Sequence, residues 1–156
     1  MRTLAWSELL ELGHERIDAE HRLLLDSAAE IETVTHEGAG IAVLQPLYRS
    51  FHRMLTAHCL YEEALLRSLP RSAFGAQVDS HCEGHAHLIE QARSVAEGSL
   101  PDSFDCPKGF AAAYFQLMHD LLIDDAELIG ALIREGQHSM AGAQNRPAAI
   151  STHPPV

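Results

Sequence analysis

The chain is poor in the residue types on which several classes of protein depend. It has three cysteines and no CxxC spacing, which argues against a disulfide framework and fits reduced thiols in a cytoplasm. Lys and Arg number 11 against 22 acidic residues, and the net charge of -11 argues against nucleic acid and anionic membranes as partners. No apolar run approaches the roughly 18 residues of a membrane span. Because Glu8, Glu11 and Gly13 interrupt the amino terminus before a signal-peptide core develops, we expect a soluble cytoplasmic protein.

The residues that are abundant indicate one helical domain. A length of 156 residues with 46% apolar content suits a single core. Apolar positions recur with helical period in four blocks, and the alternation typical of strands is absent. The blocks predict helices over residues 18–36, 41–69, 73–97 and 108–135.

Short connections between four long helices predict an all-α, up-down-up-down four-helix bundle with an N-terminal arm. Asp18 is the expected N-cap of the first helix. Residues 1–17, which include Trp6, have enough apolar surface to pack across the bundle as the arm. We assign residues 1–136 to the bundle. Residues 137–156 lose the periodicity and gain proline, which predicts a flexible tail or a linker to a further domain.

Polar residues with metal-ligand chemistry interrupt the apolar stripes of all four helices. A bare core of this kind should be unstable, because each buried imidazole or carboxylate without a partner costs a few kcal/mol. Five nitrogens and two carboxylates exceed the needs of one tetrahedral zinc and suit two metal ions bridged by the carboxylates, for which iron fits best. The candidate ligands are His21, His58, Glu62, His81, His85, His119 and Asp124.

These residues match a known family in their order and spacing. With Trp6, Gly13 and the run 17–21, they make residues 4 to about 135 resemble the hemerythrin-like domains, which are non-haem di-iron proteins that bind dioxygen in a four-helix bundle. The resemblance implies that His81, His85 and His119 hold one iron and that His21 and His58 hold the other. It also implies that Glu62 and Asp124 bridge the two irons. The second iron then keeps an open position, where dioxygen binds as hydroperoxide.

The chain departs from the family around the expected ligand pocket. The differing positions make the pocket wall smaller and more polar, which should admit water and small anions more readily. This favours an oxygen or redox sensor over an oxygen carrier, a storage protein or an iron-handling protein. An enzyme is not expected, and the tail could lead to an output domain such as a nucleotide cyclase. The differing positions are Cys59, Gly84, Leu88, Gln116 and Asp120.

Three other classes of protein would need different residues from those in this sequence or leave the buried polar residues without a metal. A ferritin-like oxidase would need two inward ExxH pairs, which the helices lack. A zinc protease would need HExxH, whereas Glu83 lies one place too late between His81 and His85. A metal-free structural bundle stays open. Glu63 and Asp125 are expected to be solvated or to contact the ligands from outside, and the expected non-ligand histidines are His14, His36, His52, His87, His138 and His153.

Overall fold

The computed structural model describes residues 6–97 and 125–144 of the chain. The secondary structure within these residues is entirely helical, which confirms the all-α prediction for this part. None of these helices is long and apolar enough to cross a membrane. The elements are a short 3-10 helix (Glu8–Leu10) and four α-helices, α1 (Glu15–His36), α2 (Ile41–Leu66), α3 (Arg71–Ala96) and α4 (Asp125–Gln144).

The first helix begins earlier than predicted, and Asp18 is not its N-cap. His14 is the N-cap and its Nδ1 accepts the Ile17 N–H at 3.4 Å. The Asp18 carboxylate instead accepts the backbone N–H groups of Leu12 at 2.8 Å and Gly13 at 3.1 Å. Gly13 has a φ of +87°, which favours glycine at this turn. Asp18 therefore ties the N-terminal segment to α1.

The N-terminal segment packs on the helices as predicted for an arm. Trp6 and Leu10 are partly buried against one apolar cluster, and Leu12 is partly buried against another. Arg22 lies over the Trp6 ring, 4.9 Å from its centroid. These contacts fix the chain that leads into α1.

The other helix ends differ from the prediction by a few residues, except at the carboxyl end. Gly38, with a φ of +77°, follows α1 where a stop was expected. The second helix ends at Leu66 instead of residue 69, and α3 begins at Arg71 instead of residue 73. The last helix continues to Gln144, so the predicted end at Gly136 is wrong. Residues 145–156 lie outside the described part.

A layer of buried polar side chains lies between two apolar clusters. The larger cluster contains Leu24, Leu55 and Leu88, while the smaller one contains Ile17, Leu66, Val78, Leu128 and Ile129. Along each of α1, α2 and α3, the buried polar residues come between members of the two clusters. The central helix α2 packs against α1, α3 and α4. The sequence therefore places every candidate ligand of the described part at one level of the fold.

Candidate metal centre

Six polar side chains are buried together in this layer. Each of them has 5% or less of its surface exposed. The pairs in α2 and α3 are four residues apart, so each pair projects from one face of its helix. The six are His21 from α1, His58 and Glu62 from α2, His81 and His85 from α3, and Asp125 at the start of α4.

The six side chains form two groups of possible metal ligands. One group contains His21 and His58, and the other contains His81 and His85. Glu62 and Asp125 belong to both groups. Within each group the ligand atoms all lie within 4.8 Å of one another. The arrangement could hold metal ions between the imidazoles and the two carboxylates that the groups share.

Asp125 spans the two groups with its two oxygens. Its Oδ2 lies 3.2 Å from the His21 Nε2, and its Oδ1 lies 3.4 Å from the His81 Nε2. The Glu62 Oε2 lies 3.5 Å from the His58 Nε2, 3.6 Å from the His85 Nε2 and 3.7 Å from the His81 Nε2. Both carboxylates therefore face imidazoles of both groups.

These separations suit ligands of a common ion. With ligand distances of about 2.1 Å, neighbouring donors of an octahedral ion lie about 3.0 Å apart and opposite donors about 4.2 Å apart. The observed separations of 3.2 to 3.7 Å fall between these values. Most of them are too long for good hydrogen bonds.

Glu62 provides the direct test of whether a cation fits. Its side chain is fully buried, and neither carboxylate oxygen has a hydrogen-bond partner among the described residues. A buried carboxylate in this condition costs several kcal/mol unless a charge or a hydrogen bond compensates it. A cation between Glu62 and the facing imidazole nitrogens would supply that compensation, so the donor set fits metal ions.

The imidazoles have the protonation state that metal binding requires. Burial lowers the pKa of His21 to about 4 and that of His85 to about 3, and it also lowers the pKa of His58. Burial alone would raise the pKa of Glu62, but the imidazoles of His81, His58 and His85 outweigh it and lower that pKa. Near neutral pH the site therefore offers neutral nitrogens and a carboxylate.

Two further glutamates contact the outer nitrogens of the ligand imidazoles. The Glu20 Oε2 lies 3.2 Å from the His58 Nδ1, and the Glu63 Oε1 lies 3.4 Å from the His85 Nδ1. A carboxylate can only accept, so Glu20 selects the tautomer in which Nδ1 of His58 carries the proton and Nε2 faces the site. Each glutamate also accepts a hydrogen bond of 2.8 Å from an arginine four residues away. Arg16 donates to Glu20, and Arg67 donates to Glu63. Of the two expectations for Glu63, the structure favours contact with a candidate ligand over a fully solvated carboxylate.

Removing the Glu20 carboxylate should weaken metal binding without abolishing it. We expect Glu20→Ala to lower metal affinity by about 10- to 100-fold, because His58 loses the group that orients it. Glu20→Gln should lose less, since its amide oxygen can still accept from Nδ1. Competition with a chelator of known affinity measures the effect. Equal affinity of Glu20→Ala and wild type would contradict it, and the exposed Glu83→Ala is the control.

Asp125 lies among the candidate ligands and belongs to both groups. The sequence predicts that Asp125 is solvated or contacts the ligands from outside, and its exposed fraction of 1% contradicts the solvated alternative. The signal that could have found it is the spacing of Asp125, Leu128 and Ile129, which repeats at three and four residues along one face of α4. The predicted ligands His119 and Asp124 lie outside the described residues.

A pair of variants separates the two aspartates. We expect Asp125→Asn to lower the metal content from about two ions per chain to about one or less, because the carboxylate that spans both groups is lost. Asp124→Asn should retain both ions. Elemental analysis of the purified variants measures this, and the reverse result would assign the bridging role to Asp124.

The other histidines of the described part belong to neither ligand group, as predicted. His14 caps α1, His36 pairs with Glu32, and His87 contacts Gln91. Glu83 is exposed, so the segment 81–85 does not present a general base to the site. Cys59 is buried and Cys82 is partly buried.

Comparison of the chain with models of protein families, with curated proteins and with solved structures found no match.

Proposed function

We propose that this protein is a non-haem di-iron protein that binds dioxygen and serves as an oxygen or redox sensor. The observation that carries the proposal is the presence of Glu62 and Asp125 in both groups of buried ligands. One isolated ion would not need two overlapping donor sets. The resemblance of the ligand spacing to hemerythrin-like domains supports iron as the metal.

The layered core supports an up-down-up-down bundle for the fold. In chain order, α1 passes from the smaller apolar cluster to the larger one, α2 returns, and α3 repeats the direction of α1. In α4, Asp125 precedes Leu128 and Ile129 of the smaller cluster. This order is the one expected when successive helices run in opposite directions.

The two ion sites differ in the number of ligands that the proposal assigns. Glu62 and Asp125 serve both sites, with His21 and His58 on one side and His81 and His85 on the other. His119, from outside the described residues, would complete the second side and leave a position open beside His21 and His58. Two iron ions held here would supply reversible dioxygen binding coupled to electron transfer. The neutral imidazoles and the two carboxylates hold the ions, and the apolar clusters above and below exclude water.

The proposal extends to the role of the protein. We assign no catalytic activity of its own to the chain, and its ligands would be dioxygen or small anions. An output domain beyond the carboxyl end would receive the signal through helix movement. A cytoplasmic location is consistent with the low cysteine content and the absence of a CxxC spacing in the sequence.

Metal analysis combined with anaerobic reduction tests the proposal. We expect about two irons per chain and near-ultraviolet and visible bands of an oxo-bridged pair that bleach on reduction and return with oxygen. A long-lived oxygenated form would favour the alternative of an oxygen carrier or store, whereas rapid oxidation favours the sensor. One zinc, or no metal and normal folding in a strong chelator, would contradict the di-iron proposal and support a structural bundle.

A further inference from the structure

An apolar pocket opens on the surface between α1 and α2 and reaches one of the ligand histidines. Its volume is about 150 Å³ and it is open to solvent on one side. Leu23, which has 57% of its surface exposed, lies on the pocket wall, and His58, which has 3% exposed, also borders it. The pocket therefore extends from the surface to His58, which belongs to the ligand group with His21. Its lining residues are Glu20, Leu23, Leu24, Met54, Ala57 and His58.

The polar groups of this pocket are already engaged. Glu20 accepts from Arg16 through Oε1, and its Oε2 contacts the His58 Nδ1. The other four lining residues present only carbon and sulfur atoms from their side chains. An anion would meet the Glu20 carboxylate and no unpaired donor among the lining groups. A small uncharged molecule loses little hydration on entering such a space, so the lining favours it over ions and water.

A second pocket of similar size has a different lining. It lies between α3 and α4, has a volume of about 140 Å³, and is lined by Gln77, Ser80, His81, Glu127 and Leu128. The Gln77 Nε2 donates to the Glu127 Oε1 at 2.8 Å. The polar groups of this second pocket, the Ser80 hydroxyl, the Gln77 amide and the Glu127 carboxylate, can hydrogen-bond to water. The two openings thus differ in polarity, and the apolar one lies beside His58.

We propose that the α1–α2 pocket binds an uncharged diatomic gas and is the route by which the gas reaches the metal centre. This inference rests on the proposed function, because it names the path of the ligand to that centre. Met54 has a flexible, unbranched side chain, so a change of its rotamer can enlarge the passage between α1 and α2. Ala57 leaves the space that a larger side chain would fill.

Filling the pocket should slow gas binding. We expect Ala57→Leu to lower the association rate of dioxygen and of nitric oxide with the reduced, iron-loaded protein by about tenfold, with unchanged iron content. Azide binding to the oxidised protein should keep its rate. The matched control is Ser80→Leu, which fills the second pocket and should leave the gas rates unchanged. Stopped-flow absorption measures all three ligands.

Xenon provides a readout that does not depend on reactivity. Crystals of the protein as purified, pressurised with xenon, should show the atom between Leu24, Met54 and Ala57, and Ala57→Leu should remove it. Absence of xenon from this pocket, unchanged gas rates in Ala57→Leu, or equal slowing by Ser80→Leu would each overturn the proposal. A wild-type protein without iron would contradict the proposed function as well, whereas bound iron with unchanged rates contradicts the gas route alone.

Discussion

Replacing Glu62 by Gln should abolish metal loading. The Glu62 carboxylate belongs to both ligand groups, and it faces His58, His81 and His85 at 3.5 to 3.7 Å. An amide has no negative charge and only one oxygen, so it cannot bridge two cations as a carboxylate can, and the two groups lose a shared donor. We expect elemental analysis to give fewer than one ion per chain, with loss of the stabilisation that metal binding provides.

The stability of the metal-free variant separates this effect from misfolding. An amide has nearly the same size as the carboxylate and fits the same space, so metal-free Glu62→Gln should fold and unfold in a cooperative transition like that of the metal-free wild type. Urea unfolding in the presence of chelator compares the two. The control is Glu83→Gln, because Glu83 is exposed between two ligand histidines. Two ions bound to Glu62→Gln would show that the site does not depend on this carboxylate.

Lowering the pH should reduce the unfolding free energy of the metal-free protein, because buried histidines are neutral in the folded chain and take up protons on unfolding. The pKa values of His21 and His85 in the folded chain are about 4 and about 3, against an ordinary value of 6.5. Between the folded and the ordinary pKa values, the unfolded chain binds more protons than the folded chain. The contribution of each histidine to the unfolding free energy is therefore fully present above about pH 6.5, and it falls as the pH drops toward 4 for His21 and toward 3 for His85. From about pH 7 to about pH 5, each histidine should remove about 2 kcal/mol of unfolding free energy.

Urea unfolding in chelator across this pH range measures the loss. Substitution of His21 by Gln should remove the part of the pH dependence that comes from His21, about 2 kcal/mol between about pH 7 and about pH 5, while the same change at the exposed His87 should leave the pH dependence intact. The metal-loaded protein should hold its stability to lower pH, because bound ions compete with protons for the same nitrogens. A flat profile for the metal-free wild type would show that these imidazoles are not neutral and buried in the folded chain.

The sequence predicted which polar residues of α1, α2 and α3 lie together in the core, because those helices have strong apolar stripes. His21, His58, Glu62, His81 and His85 replace core residues at regular spacings, and the structure brings all five together. Spacing within a helix is a local property, and the register between helices follows from aligning the stripes.

The errors arose where contacts outside a helix decide the result. Aspartate is a residue type favoured at the N-cap, which is why the sequence predicts Asp18 there. Its carboxylate instead accepts hydrogen bonds from the backbone N–H groups of Leu12 and Gly13 in the preceding segment. Asp125 was expected outside the site, and only the packing of α4 against α2 could show that it is buried among the candidate ligands. Asp124 lies outside the described residues, so its role as a ligand stays a prediction. Gly136 looked like a stop, yet a glycine costs about 1 kcal/mol inside a helix and does not by itself end one.

The polar layer divides the apolar core into two parts that touch the ligands from opposite ends. Leu24, Leu55 and Leu88 lie in one part, and Ile17, Leu66, Val78 and Leu128 lie in the other. Ions that join side chains from all four helices would make the two parts melt as one cooperative unit. Without ions, the layer between them contributes repulsion and unsatisfied groups, so the smaller part can open on its own. If the proposed irons bind here, iron supply would set how much of the chain is exposed to proteases, and the abundance of the protein would follow that supply.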